Sequence, residues 1–186
     1  MRLTIPNLLT SFRLVAAPCV AFILILEAAA EIALFIFLLA SITDYLDGYL
    51  ARALNQSTSL GKVLDPIADK AMVVLTLCFL TYSIDSDATK IIFGIPATII
   101  IFREIFISGL REYVGSASDM LLVSRFSKWK TALQMISVGV MLASNIEHLI
   151  FLPLESVALL ILWLAALVTV ITGIEYFKKV LQNLKG

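Results

Sequence analysis

Six long apolar stretches run through this sequence, and each is long enough to cross a lipid bilayer as a helix, which takes about 17 to 25 residues. Hydrophobic residues make up 60% of the 186 residues and charged residues only 15%, against roughly 25% charged residues in an ordinary soluble domain. The sequence therefore predicts an all-helical integral membrane protein. The six expected spans are about Asn7 to Leu26, Ile32 to Arg52, Gly61 to Tyr82, Ile91 to Gly109, Ser124 to Ile146 and Val157 to Phe177.

Lysines and arginines fall in alternate connections between these spans. They gather near the N-terminus, between the second and third spans, around the fourth connection and at the C-terminus, whereas the other connections carry mainly acids such as Glu27, Asp85 and Glu147. Basic connections lie on the cytoplasmic side of a membrane. We therefore expect both termini to be cytoplasmic, in a single membrane domain covering residues 1–186.

The beginning of the chain allows two interpretations. Arg13, the apolar Leu14–Leu26 and the small residues Ala28–Ala30 imitate a secretory signal with its cleavage site. Against this, Asn7, Thr10 and Arg13 recur every three residues and so share one helix face near the cytoplasmic surface. This polar face favours a helix that belongs to the fold.

Four carboxylates interrupt the apolar pattern of the second and third spans. Asp44 and Asp47 stand three residues apart, and Asp65 and Asp69 stand four apart, so each pair lies on one helix face. The polar connection Asn55–Ser59 lets the two helices return antiparallel, which would bring all four acids together. Carboxylate oxygens are the ligands that Mg2+ and Mn2+ prefer, and a divalent ion would offset the repulsion among the acids. The pattern therefore predicts a divalent-metal site.

Other residues beside the acids fit a ligand site as well. Gly48, Ala51 and Gly61 each lie one helical turn from an acid and leave space for a ligand to approach the backbone. The alternative for each is that a small residue only allows helices to pack closely in lipid. Lys70 and Arg52 are the nearby cations that could help to neutralise the acids.

Written out, Asp44-x2-Asp47-Gly48-x2-Ala51-Arg52-x8-Gly61-x3-Asp65-x3-Asp69 resembles the signature of the CDP-alcohol phosphotransferase family. The resemblance implies a six-helix membrane enzyme, usually a homodimer, in which an acceptor hydroxyl displaces CMP from a CDP-linked donor with the help of a divalent metal, Mg2+ or Mn2+. The resemblance implies that Asp44, Asp47 and Asp65 bind the metal. It implies that Asp69 is the base and also contacts metal. Donor contacts would fall on Asn7, Thr10, Asp47, Gly48, Ala51, Arg52 and Gly61.

Further blocks resemble the phosphatidylglycerophosphate synthases within that family. They are Ile5-Pro6-Asn7-Leu8-Leu9-Thr10-x2-Arg13, Arg103-Glu104-Ile105, Ser108-Gly109-Leu110-Arg111-Glu112, and Ser127-Lys128-x-Lys130-Thr131-x2-Gln134, where serine replaces the usual glycine before the first lysine. The resemblance implies transfer of a phosphatidyl group from CDP-diacylglycerol to sn-glycerol 3-phosphate, giving phosphatidylglycerophosphate and CMP.

The residues themselves are consistent with a phosphate-bearing acceptor. Arg103, Arg111, Lys128 and Lys130 all fall on the predicted cytoplasmic side, as the acids do, and arginine and lysine are the usual phosphate-binding side chains. For each alone, a contact with lipid headgroups is an equally good interpretation. Glu104 could instead form a salt bridge to a neighbouring helix.

Several alternatives remain open at this level. Within the family, inositol phosphate, phosphatidylglycerol or serine could be the acceptor. A cation transporter would also carry intramembrane acids, but would spread them along a path to both faces, whereas these acids cluster at the cytoplasmic ends of two spans. Because no transit peptide is visible, we expect the protein to lie in a bacterial cytoplasmic membrane. The distribution of lysines and arginines predicts that its active site faces the cytoplasm.

Overall fold

The structure is a computed structural model that describes residues 4–27, 29–53, 58–114, 126–149 and 151–185. Within these ranges the side chains of residues 45, 47–49, 51–52, 62, 126–128 and 183–185 fall outside the description. The described residues form six α-helices and a short 3-10 turn at Glu147–Leu149, with no strand among them. The helices are α1 (Ile5–Ile25), α2 (Ala30–Ala53), α3 (Ser59–Ser83), α4 (Asp87–Val114), α5 (Phe126–Ser144) and α6 (Leu154–Lys185).

Each predicted apolar span corresponds to one of these helices, so the all-helical class is confirmed. The spans predicted for α4 and α6 are shorter than the helices themselves: α4 continues to Val114 and α6 to Lys185. Hydropathy marks only the apolar part of a helix, and both helices continue with polar residues beyond it. The expected start of the fifth span, Ser124, lies outside the described residues.

Three of the described helices are long and apolar enough, by length and composition, to cross a membrane. Among the described residues these are α1, α4 and the segment Leu154–Gln182 of α6. Large apolar side chains such as Phe22, Phe35, Phe102 and Leu160 are exposed on the outside of the bundle. This arrangement is compatible with an integral membrane protein, because acyl chains can cover such a surface.

The bundle consists of two helix groups that meet in its centre. In the first, α1 packs against α2 and α3; in the second, α6 packs against α4 and α5. Contacts of α5 with α2 and of α3 with α4 join the groups. Small buried residues such as Ala17, Ala40, Ala158 and Ala165 lie in the shared core and allow helices to approach closely. The predicted site residues therefore lie on helices that pack against one another.

Candidate functional site

Three of the four predicted metal-site carboxylates surround one arginine. The Arg13 guanidinium donates hydrogen bonds to the carboxylates of Asp44 and Asp69, and its Nη2 lies 3.8 Å from Asp65 Oδ1. The Arg13 side chain is only 2% exposed, whereas the three carboxylate side chains are 42 to 49% exposed. A buried cation on α1 therefore neutralises acids on α2 and α3.

Sequence reasoning missed Arg13 as a member of this site and proposed Lys70 and Arg52 as the neighbouring cations. The usable signal was the three-residue spacing of Asn7, Thr10 and Arg13, all of which are buried on one face of α1. This face points at the acids. The Arg52 side chain lies outside the described part of the chain, so its contribution stays a prediction.

The same face of α1 holds the N-terminal half of α3. Thr10 Oγ1 lies 2.6 Å from Asp65 Oδ1, and the Thr58 hydroxyl donates to Asn7 Oδ1 at 2.8 Å. Thr58 is the N-cap of α3, where its oxygen accepts from the Gly61 backbone N–H at 3.0 Å. Such caps satisfy a free amide at a helix start. Two buried polar side chains of α1 thus fix the helix that carries Asp65 and Asp69.

Gly61 permits this close approach of α1 and α3. A Cβ atom there would lie 3.0 Å from Asn7 Oδ1 and 3.3 Å from Thr58 Oγ1, tighter than ordinary packing. The space beside Gly61 is therefore filled by the α3 cap, which agrees with the helix-packing interpretation of this small residue. Its assignment to donor binding stays a prediction.

A second charged cluster joins α4 to α5. The Lys130 ammonium forms an ion pair with the Glu104 carboxylate, and Arg103 Nη1 lies 3.2 Å from Glu104 Oε1. All three side chains are at most 13% exposed. The expected salt bridge from Glu104 to a neighbouring helix is present. It offsets the desolvation of two buried cations, which would be strongly unfavourable without a partner.

A polar cavity of about 180 Å3 lies between the two charged clusters. Residues from α3, α4 and α5 line it, among them Asp69, Lys70, Arg103, Arg111, Lys130 and Gln134. Drug-sized ligands occupy pockets of roughly 300 to 1,000 Å3, so this cavity suits a smaller molecule. Four cationic side chains in its wall favour an anion. The structure therefore brings Asp69 together with three of the four predicted phosphate-binding residues.

The donor set near Arg13 fits a divalent metal in its chemistry. It consists of carboxylate oxygens, which are hard ligands suited to Mg2+ or Mn2+. Among the described side chains, however, no three acidic, histidine or cysteine groups are gathered closely enough to hold one ion. The Arg13 guanidinium stands among Asp44, Asp65 and Asp69 instead. These acids have suitable oxygen ligands for such a metal, and metal binding by them stays a prediction.

Several predicted site residues fall on side chains that the structure does not describe. They are Asp47, Gly48, Ala51, Arg52 and Lys128. The backbones of all five belong to helices, the first four to α2 and Lys128 to α5.

Comparison with known proteins gives a consistent assignment. Residues 3–171 match the family model described as CDP-alcohol phosphatidyltransferase. A relative from Cereibacter sphaeroides is 38% identical over 100% of this chain and 99% of its own length, and one from Rickettsia bellii is 41% identical over 94% and 93%. Both are named CDP-diacylglycerol--glycerol-3-phosphate 3-phosphatidyltransferase. A relative from Oryza sativa subsp. japonica, named cardiolipin synthase (CMP-forming), is 39% identical over 79% of this chain and 48% of its own length.

The family model spans most of the chain, and its match includes all four acids, Arg13 and the cations of the polar cavity. Relatives of well over 30% identity align along nearly the whole sequence. The protein belongs to the CDP-alcohol phosphatidyltransferase family.

Proposed function

We propose that this enzyme transfers the phosphatidyl group of CDP-diacylglycerol to the hydroxyl of sn-glycerol 3-phosphate, giving phosphatidylglycerophosphate and CMP. The observation that carries the proposal is the cavity whose wall combines the Asp69 carboxylate with Arg103, Arg111 and Lys130. A small acceptor that carries both a hydroxyl and a phosphate matches this combination of a carboxylate and cations. The names of the two bacterial relatives support the same activity.

The acceptor phosphate would bind to the cationic wall of the cavity. Arg103 and Arg111 on α4 and Lys130 on α5 supply the donors, with Lys128 as the fourth proposed contact. Hydrogen bonds between such cations and a phosphate are roughly twice as strong as those between neutral groups. Binding the phosphate there would orient the acceptor hydroxyl toward Asp69.

Asp69 is the proposed general base. Its carboxylate lines the cavity and retains about half of its side-chain exposure, so an acceptor hydroxyl can reach it. A carboxylate placed within hydrogen-bond reach can accept the proton that the hydroxyl loses as it attacks. Arg13 holds this carboxylate in place with a hydrogen bond to Oδ1.

Mg2+ or Mn2+ is the proposed cofactor, held by Asp44, Asp47, Asp65 and Asp69. When bound, such an ion supplies charge neutralisation for the donor pyrophosphate and polarisation of its phosphorus. The donor contacts proposed for Asn7 and Thr10 are retained; the Thr10 side chain also bonds to Asp65 and that of Asn7 to Thr58, so both would position the start of α3 as well. Donor contacts at Asp47, Gly48, Ala51, Arg52 and Gly61 are retained in the proposal.

We also propose that all six helices cross the membrane as one domain covering residues 1–186, with both termini and the cavity on the cytoplasmic side of a bacterial inner membrane. The polar residues of α3 and α5 do not oppose this topology, because several of them, such as Thr76, Gln134 and Ser137, are buried in the bundle. Gln134 and Ser137 on α5, for example, bond to Thr169 and to the Ala158 carbonyl on α6. A homodimer is the proposed assembly, as the family resemblance implies.

The decisive experiment offers purified protein CDP-diacylglycerol with Mg2+ or Mn2+ and one acceptor at a time, and identifies the lipid product by mass spectrometry. The acceptors are glycerol 3-phosphate, phosphatidylglycerol, an inositol phosphate and serine. We expect CMP release and phosphatidylglycerophosphate with glycerol 3-phosphate only, and loss of both when EDTA removes the metal.

Each other outcome selects a different function. Phosphatidylglycerol is the second candidate acceptor, since the rice relative is named a cardiolipin synthase. CMP release only with that lipid would replace the proposed acceptor. No CMP release with any acceptor would reject the transferase assignment and favour cation transport.

A further inference from the structure

We propose that Gly173 and Tyr176 on α6 are positioning residues that hold Arg103 and Arg111 in the orientation needed to bind the acceptor phosphate; this rests on the proposed function. Neither residue belongs to the four acids or to the predicted phosphate-binding cations on α4 and α5. Both contact a cavity cation directly from the neighbouring helix.

The stem of Arg103 lies against the backbone of α6 at Gly173. A Cβ atom at Gly173 would be 3.2 Å from Arg103 Cγ, tighter than most real Cβ contacts, and 3.4 Å from its Nε. Gly173 is buried, so a larger side chain could not turn away into solvent. The close approach of the Arg103 stem to α6 therefore depends on glycine at this position.

Packing contributes more than usual to the orientation of Arg103. Its side chain is 11% exposed, and among the described residues its buried Nε has no hydrogen-bond partner. Among the described side chains, its polar contact is the 3.2 Å pair from Nη1 to Glu104. Arg103 lines the polar cavity and also an apolar groove between α4 and α6 that includes Phe106 and Phe177. Packing against α6 therefore determines how the Arg103 guanidinium reaches the polar cavity.

Tyr176 supports the second cation. It lies three residues beyond Gly173, on the same face of α6. The Arg111 guanidinium carbon lies 5.7 Å from the centroid of the Tyr176 ring, within the range of about 6 Å for a cation–π contact. Arg111 is exposed, so without this ring it would sample many orientations. The Tyr176 hydroxyl is buried and has no hydrogen-bond partner among the described residues, so the ring face is the contact that matters.

The competing explanation is that these residues only pack α4 against α6. Loss of simple packing would lower stability and affect both substrates equally. Loss of positioning would raise the KM for the acceptor alone, because the proposed donor contacts lie on α1, α2 and α3. The two explanations therefore differ in which KM changes.

The test compares Gly173→Ala, Tyr176→Leu and Tyr176→Phe with the wild type. Gly139→Ala on α5 is the matched control, since a Cβ there would lie at an ordinary 3.7 Å from Phe37 and the substitution changes helix propensity in the same direction. For each protein, the KM values for glycerol 3-phosphate and CDP-diacylglycerol are measured, together with the shift in Tm that glycerol 3-phosphate produces. The Tm shift reports acceptor binding without turnover.

We expect Gly173→Ala and Tyr176→Leu to raise the KM for glycerol 3-phosphate about tenfold, because small misplacements of binding groups have large effects. Their KM for CDP-diacylglycerol should stay within about twofold of the wild type. Tyr176→Phe and Gly139→Ala should behave as the wild type, since the first keeps the ring and the second adds only an ordinary contact with Phe37. Equal changes in both KM values, or a Tyr176→Phe variant as impaired as Tyr176→Leu, would overturn the inference.

Failure of the proposed function would give a different result. The wild type could show a rise in Tm with glycerol 3-phosphate but no CMP release. This result would reject the proposed activity, and the Tm shifts of the variants would then test the positioning role. If Gly173→Ala and Tyr176→Leu then kept the full shift, the inference would be wrong. A wild type with no such shift would also overturn it.

Discussion

Arg13 on α1 donates a hydrogen bond to the carboxylate of Asp69 on α3, 56 residues further along the chain. The same guanidinium binds Asp44 on α2, so one side chain ties three helices together at the acid cluster. A buried arginine is stable there only because its charge is compensated. The acids and the arginine therefore depend on one another in this structure.

Removing the Arg13 charge should destabilise the protein and increase its response to metal. We expect Arg13→Gln to lower the free energy of unfolding by about 1 to 3 kcal/mol, since the acids are half exposed and keep part of their hydration. Added Mg2+ should raise the Tm of this variant more than that of the wild type, because its acids lack their resident cation. Thermal unfolding with and without Mg2+ measures both effects.

Lys90→Gln is the control for the Arg13→Gln variant, because it removes a cation near the N-terminal end of α4, away from the acid cluster. It should leave the Mg2+-induced shift in Tm unchanged. An Arg13→Gln variant with the same shift as the wild type would show that Arg13 and the metal do not share the same acids.

Neutralising Asp69 should separate catalysis from binding. We expect Asp69→Asn to lower the rate of CMP release by about 10² to 10⁴, the usual contribution of a general base. Binding of CDP-diacylglycerol should largely survive, because the amide keeps the size of the carboxylate. Single-turnover CMP release and retention of radiolabelled donor are the measurements. Asp85→Asn, at an exposed acid between α3 and α4, is the control, and unchanged turnover in Asp69→Asn would remove its role as base.

Arg103 and Arg111 should differ in how their loss affects stability. Either Arg103→Gln or Arg111→Gln should raise the KM for glycerol 3-phosphate about 10- to 100-fold, the range expected for loss of a charged hydrogen bond. Only Arg103→Gln should also lower Tm, because Arg103 is buried and paired with Glu104 whereas Arg111 is exposed. Steady-state kinetics and thermal unfolding of the same preparations test this. Equal increases in the KM values for donor and acceptor would exclude a role in acceptor binding.

Enlarging Gly61 should disturb the junction of α1 and α3. We expect Gly61→Ala to lower the free energy of unfolding by about 1 to 2 kcal/mol, since the new Cβ would press on the Thr58 cap and on Asn7. Gly139→Ala is the matched control, because its Cβ would lie 3.7 Å from Phe37, an ordinary contact. Both variants are compared by Tm. A Gly61→Ala variant at least as stable as Gly139→Ala would show that the cap can shift at little cost.

Much of the helical architecture could be predicted from the sequence, because it depends on local pattern. Long apolar runs require helices in a bilayer, since backbone groups there must be bonded within the segment. The spacing of Asp65 and Asp69, like that of Asn7, Thr10 and Arg13, places each set on one helix face without any tertiary information. The ends of α4 and α6 were harder to predict because their last turns are polar.

Tertiary structure decided which of these faces meet. Among the described side chains, Arg13 pairs with the acids because α1 packs between α2 and α3, and its partners lie 31 and 56 residues away in sequence. The roles of Gly61 and Gly173 likewise depend on what fills the space beside them, the α3 cap in one case and the Arg103 stem in the other. The sequence alone determined the helices and the chemical groups on their faces. Only packing between distant helices decided how those groups are combined into a site.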